Sequence, residues 1–71
     1  MKKAKIFVNG TFAGILEEMV LGRDYKFTYD ASYAGSSVSL LMPTNKKLYQ
    51  FNRFPPFFEG VLPEGLMLEA S

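Results

Sequence analysis

The sequence predicts an α+β fold: a small, curled antiparallel β-sheet followed by one or two short C-terminal helices. Three observations predict it. An Asn9-Gly10 pair separates two apolar runs, and a type I′ hairpin turn needs the positive φ that Asn and Gly accept. Arg23 to Asp30 alternates, with Tyr25, Phe27 and Tyr29 on one side and Lys26, Thr28 and Asp30 on the other, which is the period of a half-buried strand. Phe51 to Gly65 then gathers four of the seven Phe and three of the four Pro, with prolines placed as a helical first turn accepts them. Strands first and helices last describe a small α+β domain.

Taken in order, Ala4 to Glu18 reads as a β-hairpin. Ile6 and Val8 alternate with Lys5 and Phe7 before the turn. Phe12, Gly14 and Leu16 share one face after it, and Thr11, Ala13 and Ile15 share the other. Gly14 inside a strand marks a bulge or a close backbone approach. Glu17 to Gly22 reads as a connection, and Arg23 to Asp30 as the strand whose aromatic face covers the hairpin core. Asp30 to Ser37 is small and polar, a turn or a single helical turn. Val38 to Met42 reads as a short strand with Val38, Leu40 and Met42 on one face, stopped by Pro43. Thr44 to Lys47 is an exposed loop, and Leu48 to Phe51 a short edge strand. A helix follows, with Asn52 or Phe54 near its start, Pro55-Pro56 in its first turn and Gly60 as its C-terminal break. Leu62-Pro63-Glu64-Gly65 opens a second helix over Leu66 to Ala70, too short to stand alone, as in a truncated module or a helix completed by a partner.

Seventy-one residues make one domain, 1–71, whose single core supplies on the order of 3–5 kcal/mol. With no Cys and no His, a disulfide and a Cys/His zinc site are both ruled out. The absence of Cys fits a reducing compartment. No apolar run approaches the ~18–20 residues a membrane span needs and no signal peptide is visible, so a cytoplasmic protein without membrane partners is expected. Eight basic residues stand against seven acidic ones, short of the basic excess of a nucleic-acid binder. Lys2, Lys3 and Lys5, and the Lys46-Lys47 pair, read as solvated clusters.

The inventory for catalysis is thin. Ser and Thr have no His to activate them, and a Ser/Lys dyad needs a desolvated Lys, whereas Lys46 and Lys47 fall in a loop. Glu17 and Glu18 are adjacent and point to opposite faces of a strand. Glu59 and Glu64 are two carboxylates where a hard-cation site usually needs more oxygens. No glycine-rich loop precedes a helix as a phosphate cradle requires. Tyr25, Phe27 and Tyr29 are spaced like a base-stacking platform, but that spacing is also what a sheet core needs. We therefore expect no enzyme, no catalytic or metal residues and no cofactor.

The signature Phe54-Pro55-Pro56-Phe57-Phe58-Glu59-Gly60-Val61-Leu62-Pro63-Glu64-Gly65 resembles the motif that ends the N-terminal subdomain of HipA-type toxin kinases. Val8-Asn9-Gly10 through Gly14-Ile15-Leu16, Tyr25 to Tyr29, and Val38 to Pro43 are similar, in order, to that family's hairpin and following strands. Val61 stands where the motif has Leu, and no Pro precedes Val38. In HipA proteins a serine/threonine kinase follows this subdomain, and none of the kinase's catalytic motifs occurs in these 71 residues. The resemblance therefore implies the free-standing, HipS-like antitoxin of HipB–HipS–HipT systems. It would bind a HipT-like serine/threonine kinase in trans and restrain it, with a HipB-like DNA-binding protein reached through the kinase. The alternative is a non-inhibitory component that affects assembly or operon repression. A rigid Phe/Pro segment offers contact area at low entropy cost, so Phe54, Pro55, Phe57, Phe58, Glu59, Leu62, Pro63 and Glu64 are the expected partner-binding residues, with some of the Phe also needed to fill the core. Phe54, Phe57, Phe58 and Val61 would form one helical stripe, and the two Glu would meet basic kinase residues or helix N-termini. With no Trp in the chain, any aromatic plug into a kinase site falls to Phe or Tyr.

Overall fold

The computed structural model describes residues 2–59 and 62–70. Five strands, β1 (Lys3–Val8), β2 (Thr11–Val20), β3 (Arg23–Tyr29), β4 (Leu48–Phe51) and β5 (Leu66–Ala70), form one antiparallel sheet in the order β4-β3-β2-β1-β5. Among the described residues the helical content is one 3-10 turn, Pro56–Phe58. The architecture is all-β, which overturns the α+β expectation in its helical half.

The β1–β2 hairpin forms as its sequence requires. Asn9 and Gly10 take φ of 50° and 80°, the positive values of a type I′ turn. Ile6 pairs with Gly14 but Phe7 with Phe12, so Ala13 is the extra residue of a bulge. Its side chain is fully buried and its carbonyl accepts the Asp30 N–H at 2.7 Å. Gly14 lies under the Phe27 ring. A Cβ there would meet the Thr28 carbonyl oxygen and come within 2.8 Å of that ring, so only glycine allows β3 to lie this close.

β2 runs on to Val20 and turns back through Leu21-Gly22, where a connection from Glu17 was expected. The register Gly14↔Tyr29, Leu16↔Phe27, Glu18↔Tyr25 puts the β3 aromatics on the face that carries Ala4, Ile6 and Leu16. Tyr49 and Phe51 of β4 join that face opposite Phe27 and Tyr25, and Leu66 and Leu68 of β5 join it opposite Val8 and Ile6. Two coverings pack on it: the β3–β4 loop through Tyr33, Val38 and Met42, and the segment after β4 through Phe54, Pro55, Phe57 and Phe58. Ile6, Phe27, Met42 and Pro55 are the largest side chains sealed from solvent. The opposite face carries the cross-strand row Lys3–Glu17–Lys26, in which Glu17 receives Lys3 at 3.8 Å and Lys26 at 3.7 Å. Glu17 and Lys26 are half-buried, and such surface pairs contribute about 0.2–1 kcal/mol each.

Two further expectations are corrected. Val38–Met42 is not a strand. It bends into a tight turn closed by the Met42 N–H to the Ser39 carbonyl at 2.9 Å. Val38 and Met42 are buried, but Leu40 faces solvent. The C-terminal residues 66–70 are a strand, not a helix. Leu, Met, Glu and Ala are good helix formers, but pairing with β1 from Ala4↔Ala70 to Val8↔Leu66 overrides that weak preference.

Candidate interaction surface

Proline chemistry shapes the signature segment. A residue before Pro is driven out of the α region, and here Phe54 precedes Pro55, Pro55 precedes Pro56 and Leu62 precedes Pro63. Pro55 takes φ −60°, ψ 128°, an extended conformation that no α-helix starting at Asn52 could contain. Only one short turn follows, with the Phe58 N–H donating to the Pro55 carbonyl and the Glu59 N–H to that of Pro56, both at 3.0 Å. The expected break at Gly60 and the stripe position Val61 lie outside the described residues. Gly65 takes φ +86° in a turn closed by the Leu66 N–H to the Pro63 carbonyl at 3.1 Å. Pro63-Glu64-Gly65 therefore launches β5 rather than a helix. The Gly65 carbonyl accepts the Asn9 N–H at 2.7 Å, and a Cβ on Gly65 would collide with the Asn9 side chain.

The segment's aromatics form a chain over the sheet. Tyr25 meets Phe54 edge-on at 5.5 Å between ring centres, Phe54 meets Phe58 at 6.2 Å, Phe58 meets Phe57 at 4.6 Å, and Phe57 meets Phe51 edge-on at 6.0 Å. This splits the eight expected partner-binding residues. Pro55 and Phe58 are inside the core and present no side chain to a partner. Phe54, Phe57 and Leu62 are half-buried, and Glu59, Pro63 and Glu64 are exposed. No described α-helix offers Glu59 or Glu64 an N-terminus.

Beside Phe54, a cleft of about 180 Å³ opens between Tyr25, Leu16 and Leu68, with Glu18 at its wall. Glu18 Oε2 accepts the Gly22 N–H and the Tyr25 hydroxyl, each at 3.0 Å, while Oε1 is buried without a hydrogen-bond partner. The Gly22 N–H, then the Tyr25 hydroxyl and the Lys2 charge, hold the Glu18 carboxyl below the ordinary range against the opposing effect of burial. Burial, then the Glu18 contact, raises the Tyr25 phenol.

Sequence reasoning missed the most exposed apolar side chains, Leu40, Leu41 and Leu21. Ser39-Leu40-Leu41-Met42 carried a signal: successive residues of a strand face opposite ways, so three adjacent apolar residues cannot all face one core. Among the described residues no three His, Cys, Asp or Glu side chains gather as a metal site, and no helix is long and apolar enough to cross a membrane.

Residues 4–71 match the model of a protein family described as the HipA N-terminal domain. An uncharacterized protein of Haemophilus influenzae is 31% identical over 65 residues, covering 92% of this chain. The chain spans 59% of the length of that relative. The ordered motifs, the hairpin turn at Asn9-Gly10 and the Pro63-Glu64-Gly65 turn thus fall within one matched domain, small and non-catalytic in a family related to toxin–antitoxin systems. On a match of this extent, the chain belongs to the HipA N-terminal domain family.

Proposed function

We propose that this chain is an antitoxin-like interaction module that binds a HipT-type serine/threonine kinase in trans and restrains its activity. The observation that carries the reading is the family match over residues 4–71, since in HipA-type proteins this domain is joined to a kinase. The exposed apolar surface supports it. Exposed apolar side chains mark interaction sites, and here Leu40 and Leu41 stand in solvent while the rings of Phe54 and Phe57 are half-buried. Among the signature residues, the contacts fall to Phe54, Phe57, Glu59, Leu62, Pro63 and Glu64, with Pro55 and Phe58 holding the segment in place from below. A HipB-like DNA-binding protein joins through the kinase.

The test mixes the purified chain with a HipT-type kinase from the same genome and follows gel filtration and kinase autophosphorylation. Co-elution with reduced phosphorylation is expected. Separate elution with unchanged phosphorylation sinks the proposal. Co-elution with full kinase activity points instead to a structural component that acts on assembly or operon repression.

A further inference from the structure

The loop joining β3 to β4 carries an apolar feature outside the family signature. Leu40 is 98% exposed and Leu41 79%, at the two central positions of the turn from Ser39 to Met42. The turn is held from within. The Met42 N–H reaches the Ser39 carbonyl at 2.9 Å and the Leu41 N–H reaches the Ser39 hydroxyl at 3.2 Å. Behind it, the buried Tyr29 hydroxyl accepts the Val38 N–H at 2.9 Å and donates to the Met42 carbonyl at 2.5 Å. Tight turns ordinarily carry Gly, Asn, Asp or Ser. Two leucines held almost wholly in solvent add nothing to the core, and because their backbone is already fixed, little further ordering is needed on binding.

The surrounding charge says what they fit. Within the loop, 30–47, Lys46 and Lys47 stand against one acid, Asp30, whose carboxylate is engaged by Ser32, and no further Asp or Glu follows before Glu59. The Lys46 ammonium lies 5.1 Å over the Tyr49 ring, and the Tyr49 hydroxyl donates to the carbonyl of Pro43, next to the turn, at 2.6 Å. Leu21, a further exposed apolar tip, has acidic neighbours in Glu18 and Asp24 beside Arg23. We infer that the Leu40-Leu41 turn anchors this chain in an apolar pocket with an acidic rim on its kinase partner, with Lys46 and Lys47 facing that rim. The inference rests on the kinase being the partner, as proposed above.

Titration calorimetry and stopped-flow binding of the purified HipT-type kinase test it with four forms of the full chain. Leu40→Ser/Leu41→Ser should bind roughly 100-fold more weakly, from the apolar area two leucines would lose. Lys46→Glu/Lys47→Glu should associate more slowly, with a flatter salt dependence. Leu21→Ser, an equally exposed control, should bind like the unaltered chain, and all four forms should melt together. If the double leucine variant melts lower, single Leu40→Ala replaces it, with about ten-fold weaker binding expected. Wild-type affinity in the leucine variants overturns the inference and leaves the proposed function standing. Failure of the unaltered chain to bind overturns both. Leucine-dependent binding to phosphatidylglycerol vesicles, or a leucine-dependent dimer in sedimentation, reassigns the turn to a membrane or a second copy and also overturns the inference.

Discussion

Tyr29 ties β3 to β4 and to the loop between them. Its ring meets Phe27 edge-on at 4.8 Å, Tyr49 at 6.3 Å and, stacked, Tyr33 at 6.0 Å, and its hydroxyl fixes both ends of the Val38–Met42 segment. Tyr29→Phe keeps the packing but strands the Val38 N–H and the Met42 carbonyl. It should lower stability by about 1–3 kcal/mol, read from urea unfolding. An unchanged midpoint would show that the loop is held without that hydroxyl. Burial first, then the neighbouring Tyr49 and Tyr33, pushes the Tyr29 phenol above its ordinary range, against hydrogen bonds led by the Val38 N–H. Burial likewise raises Tyr33. The folded state thus favours the protonated phenol. Its contribution is complete below pH about 10, where exposed tyrosine ionises, and is lost as pH rises through the higher folded value. Melting temperatures from pH 8 to 11.5 should fall more steeply for the unaltered chain than for Tyr29→Phe. Parallel curves would exclude Tyr29 as the responsive group.

Among the elements, β5 and the turn before it show most clearly what the sequence could and could not tell. The two readings of residues 62–70 make opposite predictions for Gly65→Ala. At the start of a helix, alanine would stabilise by up to about 1 kcal/mol. At φ +86°, against the Asn9 side chain, it should destabilise by about 2 kcal/mol, and a thermal melt gives the sign. The β1–β2 hairpin and β3 were legible because their signals are local: positive φ at Asn9-Gly10, and aromatic alternation from Tyr25 to Tyr29. The edge strand β4 was legible for similar reasons. β5 was not, since its residues favour helix and only the distant β1 makes them a strand. A list of aromatics and prolines does not tell which ones roof a core, so the burial of Pro55 and Phe58 shows only in the fold. That roof is testable: Phe58→Ala should cost about 3 kcal/mol. Loss of kinase binding in that variant would report unfolding, so melts must accompany any scan of the segment. Leu40 was hidden because a period-two pattern fits Val38, Leu40 and Met42 equally well whether or not a turn interrupts it.

At the scale of the whole molecule, one sheet with one covered face gives a small core, and the expected stability is on the order of 3–5 kcal/mol. Such a domain responds strongly to any ligand of its native state. With kinase at about 100 times the dissociation constant, mass action adds about 2.7 kcal/mol. For a domain this small, that raises the melting temperature by on the order of 10–20 °C. A fluorescence melt that resolves this chain in the mixture measures the shift, and no shift at saturating kinase would contradict binding to the folded form.

The pairing of β5 with β1 also sets an order of events during synthesis. β1, β2 and β3 are neighbours in sequence as well as in space, and their hairpins can close as soon as residues 3–29 are free. The ladder from Val8↔Leu66 to Ala4↔Ala70 instead joins positions nearly the whole chain apart, the slowest kind of contact to find. While the ribosome is still adding residues 66–70, β1 has one bare edge, and such an edge is open to any other extended chain. The Asn9–Gly65 hydrogen bond marks the point at which that exposure ends.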